Sequence, residues 1–162
     1  MHMKDRVVEM RIVPADQLTA NPANWRRHPP AQQRALRAVL DEVGFAGAVI
    51  AREDDDGQLV IIDGHARAEM VGEESVPVLV TNLSEDEADV VLATYDPIGA
   101  MAETNEDALA PLLASISTDN AALEELLNTV TQRISQPPEA FKEIDTEIET
   151  EHRCPSCGYE WR

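Results

Sequence analysis

The chain has 162 residues, 43% of them hydrophobic, and a formal net charge of −18 at pH 7. This is enough for one domain of ordinary size plus extra material, and no run approaches the ~20 apolar residues of a membrane-spanning helix. The N-terminus lacks the apolar core of a secretory signal, so a cytoplasmic location is expected. The charge is uneven: residues 1–82 carry 13 acidic and 9 basic side chains, residues 83–162 carry 18 and 4. Such a chain is repelled as a whole by duplex DNA and anionic lipid. Strong, direct duplex binding by this chain alone is therefore not expected. Any contact with nucleic acid belongs to Arg26, Arg27, Arg34, Arg37 and Arg67.

Val7–Val13 reads as an opening strand ended by Pro14, followed by at most a helical turn over Ala15–Leu18. Asn21–Pro30 is a loop by its prolines and asparagines. Its Trp25, Arg26, Arg27 and His28 form either a ligand-gripping segment or a solvated loop anchored by Trp25 in the core. From Pro30 to Val43 the apolar residues Leu36, Val39, Leu40 and Val43 recur at helical spacing. Pro30 suits the first turn of that helix and Gly44 its C-terminal cap. Ala48–Ala51 and Leu59–Ile62 are strands joined by the acidic turn Glu53–Gly57, which makes a hairpin.

The second of these strands runs directly into Asp63-Gly64 and a helical pattern starting at His65. A strand that breaks at a glycine and restarts as a helix leaves backbone N–H groups directed into the turn, a setting suited to an anion. Gly64 admits close backbone approach, and Arg67 is placed to close a guanidinium fork over the same ligand. The same residues also make an ordinary turn that binds nothing. Val76–Val80 is a further strand, with Pro77 predicting an edge or strand-start position.

Ser84 and Glu87 have capping-box spacing, and Ala88, Val91, Leu92 and Tyr95 mark one face of the helix that follows, which Asp96-Pro97 is expected to interrupt. Leu109, Leu112, Leu113 and Ile116 predict a second helix and Leu123, Leu126, Leu127 and Val130 a third, paired as a helical hairpin against the domain or a second copy. Gln136-Pro137-Pro138 opens a linker, and Glu139–Glu151 has the acidic composition of a tail. Cys154-Pro155-Ser156-Cys157-Gly158 before an aromatic has zinc-knuckle spacing. With His152 as a possible third ligand it is half a site, to be completed by a second copy or a partner protein. The alternative is a pair of thiols without metal.

The order of Asn-Pro-x-Asn-x-Arg-Arg-His, a helix ending in Gly-Phe, a hairpin, Ile-Ile-Asp-Gly-His-x-Arg and Val-Pro-Val resembles the ParB/sulfiredoxin superfamily, in its ParB-like nuclease-domain branch, over roughly residues 7–95. The resemblance implies an α+β fold, a small mixed sheet with helices, and a turn that binds nucleotide phosphates. It implies cofactor-binding roles for Asn24, Arg26, Arg27, Gly64, His65 and Arg67 and catalytic roles for Asp63 and His65, with CTP or ATP and Mg²⁺ as ligands. The departures are informative. Sulfiredoxins carry a cysteine in this turn, and none is present here. The Glu-Asn-x-Gln box and basic recognition helix of chromosome-partitioning ParB proteins are missing after Leu83.

The expected organisation is a nucleotide-binding domain over residues 1–95, a helical extension over 96–134, an acidic linker over 135–151 and a half zinc knuckle over 152–162, the metal ligands being Cys154, Cys157 and His152. Two functions remain open. One is a nucleotide-dependent switch or hydrolase in a DNA-associated or phage-type system, with nuclease activity a weaker form because clustered carboxylates are lacking. The other is a catalytically inactive adaptor that joins a DNA-modifying complex through its helical hairpin and knuckle, as a homodimer or with another protein.

Overall fold

The computed structural model describes residues 4–135 and 152–161. Its centre is a five-stranded mixed sheet ordered β1-β5-β3-β4-β2, formed by β1 (Val7–Pro14), β2 (Leu18–Thr19), β3 (Val49–Glu53), β4 (Leu59–Asp63) and β5 (Ser75–Thr81). Antiparallel pairs β1–β5 and β3–β4 alternate with parallel pairs β3–β5 and β2–β4. The parallel β3–β5 pair requires a crossover, which α2 (His65–Val71) supplies after β4. The helices are α1 (Pro30–Val43), α2, α3 (Glu85–Ala100), α4 (Glu106–Ser115) and α5 (Ala121–Ser135), and β6 (His152–Arg153) pairs with β7 (Glu160–Trp161). None of the described helices is long and apolar enough to cross a membrane.

Strand periodicity divides the sheet into two faces. Val13, Val49, Ala51, Leu59, Ile61, Val76, Val78 and Val80 form one buried cluster with Ala15 and Ala68. Phe45, Leu18 and Val71 pack at its margin. On the other face, β4 contributes Val60 and Ile62, both buried, and α3 packs there with Ala88 fully buried. Thus β4 is covered on both sides, which is why its sequence is an unbroken aliphatic run rather than an alternating one.

α1 begins on Pro30 and ends on Gly44, whose φ of 82° lets its N–H return to Leu40 O at 2.9 Å. Val43, expected on the apolar face, is exposed, and Ala38 is the buried residue instead. The contact face is narrower than the sequence stripe because α1 packs mainly against α2 and α5. The capping box at Ser84 is formed in both directions, and Arg6 reaches across to pair with Glu87.

Two proline expectations need correction. Asp96-Pro97 does not interrupt α3, which continues to Ala100 with Pro97 inside it. The cost of such a proline, a lost N–H bond and crowding of the carbonyl four residues before it, falls here within the last turn of α3. Pro77 lies in β5, an interior strand, but the β3 ladder starts only at Val78. At Pro77 the strand has a single neighbour, Ile12 of β1, so an edge-like position persists within an interior strand.

α5 packs on α1 and α4 on α5, with Asn120 capping α5 through Ala122 and Leu123 N–H. Leu112 and Ile116 of α4 remain exposed. Residues 136–151, including the acidic linker, lie outside the described residues. Ile61→Ala, in the sheet cluster, is expected to cost about 2–5 kcal/mol in urea unfolding, the range for large-to-small core changes. Ile12→Ala on exposed β1 should stay within about 0.5 kcal/mol; equal losses would contradict the one-sided burial of β1.

Candidate functional site

The end of β4 and the start of α2 meet the Asn21–His28 loop and the middle of α3 around a cavity of about 240 Å³. Asn24, Arg26, Asp63, Gly64, His65 and Arg67 all line it. Six of the predicted site residues, from two segments some forty residues apart, therefore share one space. Arg27 does not line this cavity. It is exposed and borders an adjoining cleft that shares Arg26, His28 and Asp96 with it.

Gly64 carries the N-cap of α2 with φ 95° and ψ 18°, a left-handed conformation that disfavours any side chain. A Cβ there would stand 3.3 Å from Val49 Cα and 3.0 Å from Arg67 Nη2. The guanidinium of Arg67 therefore lies directly over the glycine. Arg67 Nη2 donates to Asp63 Oδ2 at 2.9 Å and to Ala48 O at 3.1 Å. Its Nε is buried without a hydrogen-bond partner among the described residues. The sequence expectation had Arg67 closing over a ligand; here part of its fork braces the turn to β4 and to the segment leading into β3.

His65 occupies the first position of α2. Its Nε2 accepts from Asn21 N–H at 3.3 Å, which ties the asparagine-rich loop to the helix start. Burial pushes the imidazole below its ordinary value of 6.5, His28 and Arg26 adding to that while Asp63 opposes it. A neutral ring is also what an acceptor Nε2 requires.

Within the loop, Asn21 Oδ1 accepts from Ala23 N–H and Asn24 Oδ1 from Arg26 N–H, so both asparagines shape the backbone, and Asn24 also lines the cavity. Arg26 pairs with Asp96 of α3, and its guanidinium carbon lies 4.9 Å from the Trp25 ring centroid. Trp25 is not a core anchor: it is largely exposed, with Nε1 donating to Leu92 O at 3.4 Å. His28 Nδ1 and Gln32 Oε1 are 3.2 Å apart, and His28 Nε2 is buried with no partner among the described residues.

α3 supplies Val91, Leu92, Tyr95 and Asp96 to the cavity. Sequence reasoning missed these because Val91, Leu92 and Tyr95 have the spacing of an ordinary core stripe. Cys154, Cys157 and His152 belong to the separate β6–β7 hairpin and are not brought to this cavity. Among the described residues no three His, Cys, Asp or Glu side chains gather to hold a metal ion.

No protein-family model matches the sequence, and no curated protein matches it. Solved structures do match in fold. The C-terminally truncated chromosome-partitioning protein ParB from Caulobacter crescentus, complexed with CTP-γ-S, aligns with a TM-score of 0.54 at 19% identity, over 80% of this chain and 72% of that one. The Pnob8-like ParB-N domain aligns with a TM-score of 0.48 at 17% identity, over 80% and 64% of the two chains, and adds no weight. The protein has a ParB-like fold. At these identities the likeness is one of architecture.

The lowered His65 value has a signed consequence. The unfolded chain takes up the His65 proton more readily, so stability is greatest above 6.5 and declines as pH falls through 6.5 toward the lower folded value. His65→Gln, whose amide oxygen can replace Nε2 as acceptor for Asn21, should flatten melting temperature against pH between about 7 and 5. An unchanged slope would show that His65 does not carry it. Gly64→Ala should destabilise by about 1–3 kcal/mol, from the left-handed backbone and the contact with Val49.

Proposed function

We propose that this protein binds a nucleoside triphosphate, CTP or ATP with Mg²⁺, in the cavity between the β4–α2 turn and α3. In this reading it is a nucleotide-dependent switch or hydrolase of a DNA-associated or phage-type system. The observation that carries it is a glycine cradle bordered by two buried nitrogens, His28 Nε2 and Arg67 Nε, that lack partners among the described residues. A buried Arg67 N–H left unpaired is costly, and a ligand oxygen is its natural acceptor; His28 Nε2 takes a ligand oxygen only in the tautomer that carries its proton there. The CTP-γ-S held by the Caulobacter crescentus ParB supports the choice of nucleotide.

The residues fit such a ligand in their division of labour. Gly64 leaves room for a phosphate against the backbone, and Arg26 and Arg67 bring positive charge to the same space. Val91, Leu92 and Tyr95 supply an apolar wall for a base or sugar. The adjoining cleft along Trp25–His28, with Arg27 at its border, continues the space where a triphosphate exceeds the cavity. Asp63 is the residue to hold Mg²⁺, which would neutralise phosphate charge. His65, neutral and partly buried, is the candidate to position a water or accept its proton. The nucleotide module is residues 1–95 with α3 carrying it to Ala100.

A second reading has its own observation. Arg26 pairs with Asp96 and Arg67 with Asp63, so both cations of the cavity already meet carboxylates. A catalytically inactive ParB-like adaptor, joining a DNA-modifying complex through α4, α5 and the C-terminal knuckle, needs no more than this. Calorimetry against CTP, ATP, ADP and GTP with Mg²⁺ separates the two. The nucleotide reading expects saturable binding, weakened by about 1.5–3 kcal/mol in Arg26→Ala, the scale of a hydrogen bond to a charged group. Absence of heat, together with no nucleotide-dependent shift in melting temperature, would favour the adaptor.

A further inference from the structure

We propose that the Cys154–Cys157 hairpin is one half of a tetrahedral zinc site, completed by the same hairpin of a second copy of this chain. The two thiols sit on a tight turn between β6 and β7, the strands pairing His152 with Trp161 and Arg153 with Glu160. Cys154 N–H donates to Tyr159 O at 2.7 Å, and Gly158 N–H donates to Cys154 O at 2.9 Å. Gly158 has φ 77°, which turns the chain back after the second cysteine.

Backbone N–H groups of Cys157 and Ser156 are directed at the Cys154 sulfur. Such N–H···S bonds are the outer-shell contacts that orient a metal-bound sulfur. Arg153 brings its guanidinium over the turn, Nη2 lying 3.7 Å from where a Cβ on Gly158 would stand. A cation there offsets the negative charge that thiolates add to zinc. The setting does not match a dithiol redox pair, whose low-pKa cysteine sits at a helix N-terminus; here a strand precedes Cys154 and a turn contains Cys157.

Zinc in a structural site takes four ligands, and cysteine is preferred where sulfur is available. No further His, Cys, Asp or Glu gathers with the two thiols among the described residues. A second copy brings an identical pair of thiolates on an identical turn, and two-fold symmetry closes the shell as Cys₄. The acidic stretch Glu139–Glu151 opposes the approach of two tails, so the pairing depends on the metal.

The test uses the full chain, purified reduced and without added chelator, with zinc content and solution mass measured together. The expected result is about half a zinc ion per chain on a species of two-chain mass. A chelator should return it to single chains. Cobalt substitution should give the absorption of a tetrahedral all-thiolate site. Cys157→Ser should lose zinc and dimer together while keeping the melting temperature of the sheet domain. One zinc on a single chain, with His152 as third ligand, would overturn the proposal. So would zinc-free reduced protein, or a dimer that survives both the chelator and Cys157→Ser. Nucleotide binding by the chelated protein is expected to persist, which keeps this outcome separate from that of the cavity.

Discussion

The contact on which the site depends is the guanidinium of Arg67 laid over Gly64. It ties three pieces of backbone together: Asp63 at the end of β4, Ala48 on the approach to β3, and the first turn of α2. The arrangement exists because residue 64 has no Cβ and adopts a left-handed conformation. An ion pair of this kind, about one-third exposed on each side, contributes modestly to stability by itself. Its effect is geometric: the direction in which the strand hands over to the helix is fixed, and with it the floor of the cavity.

From that floor the remaining elements follow by packing. β4 is buried on both faces, so it forces a layer on each side of the sheet. α2 lies over the larger cluster, and α3 covers Val60 and Ile62 on the opposite face. Because α3 is longer than the strand beneath it, its later turns overhang the β4–α2 turn and form the cavity wall. The same helix thus closes the core and the site, and a change on its Val91–Asp96 segment bears on both.

Electrostatics in the cavity run against the charge of the chain. The protein is strongly acidic, yet this region gathers Arg26, Arg67, His28 and His65. Asp63 and Asp96 answer the two arginines, leaving a locally balanced site rather than a bare cationic one. An anionic ligand would have to compete with those carboxylates or recruit a cation of its own. Desolvation keeps His65 on the neutral side of this balance, where it serves as an acceptor for Asn21.

The sequence by itself determined the features that local physics controls. Unbroken aliphatics in Leu59–Ile62 marked a strand, and Ser84 with Glu87 a helix start. Gly64 marked the one position where strand must become helix with no side chain in the way. The pairing of Asn24 and Arg26 with the Gly64–Arg67 turn was legible only through resemblance, since nothing local links segments that far apart. What tertiary structure decided is partner choice. Arg67 turns to Asp63 and Ala48, Arg26 to Asp96, and Trp25 to the surface, because which oxygen or ring lies within reach depends on how α3 crosses the sheet. The exposure of Val43 is likewise decided by packing, through the elements that α1 meets. A periodic stripe states which residues can be buried, and the neighbouring elements set how many of them are.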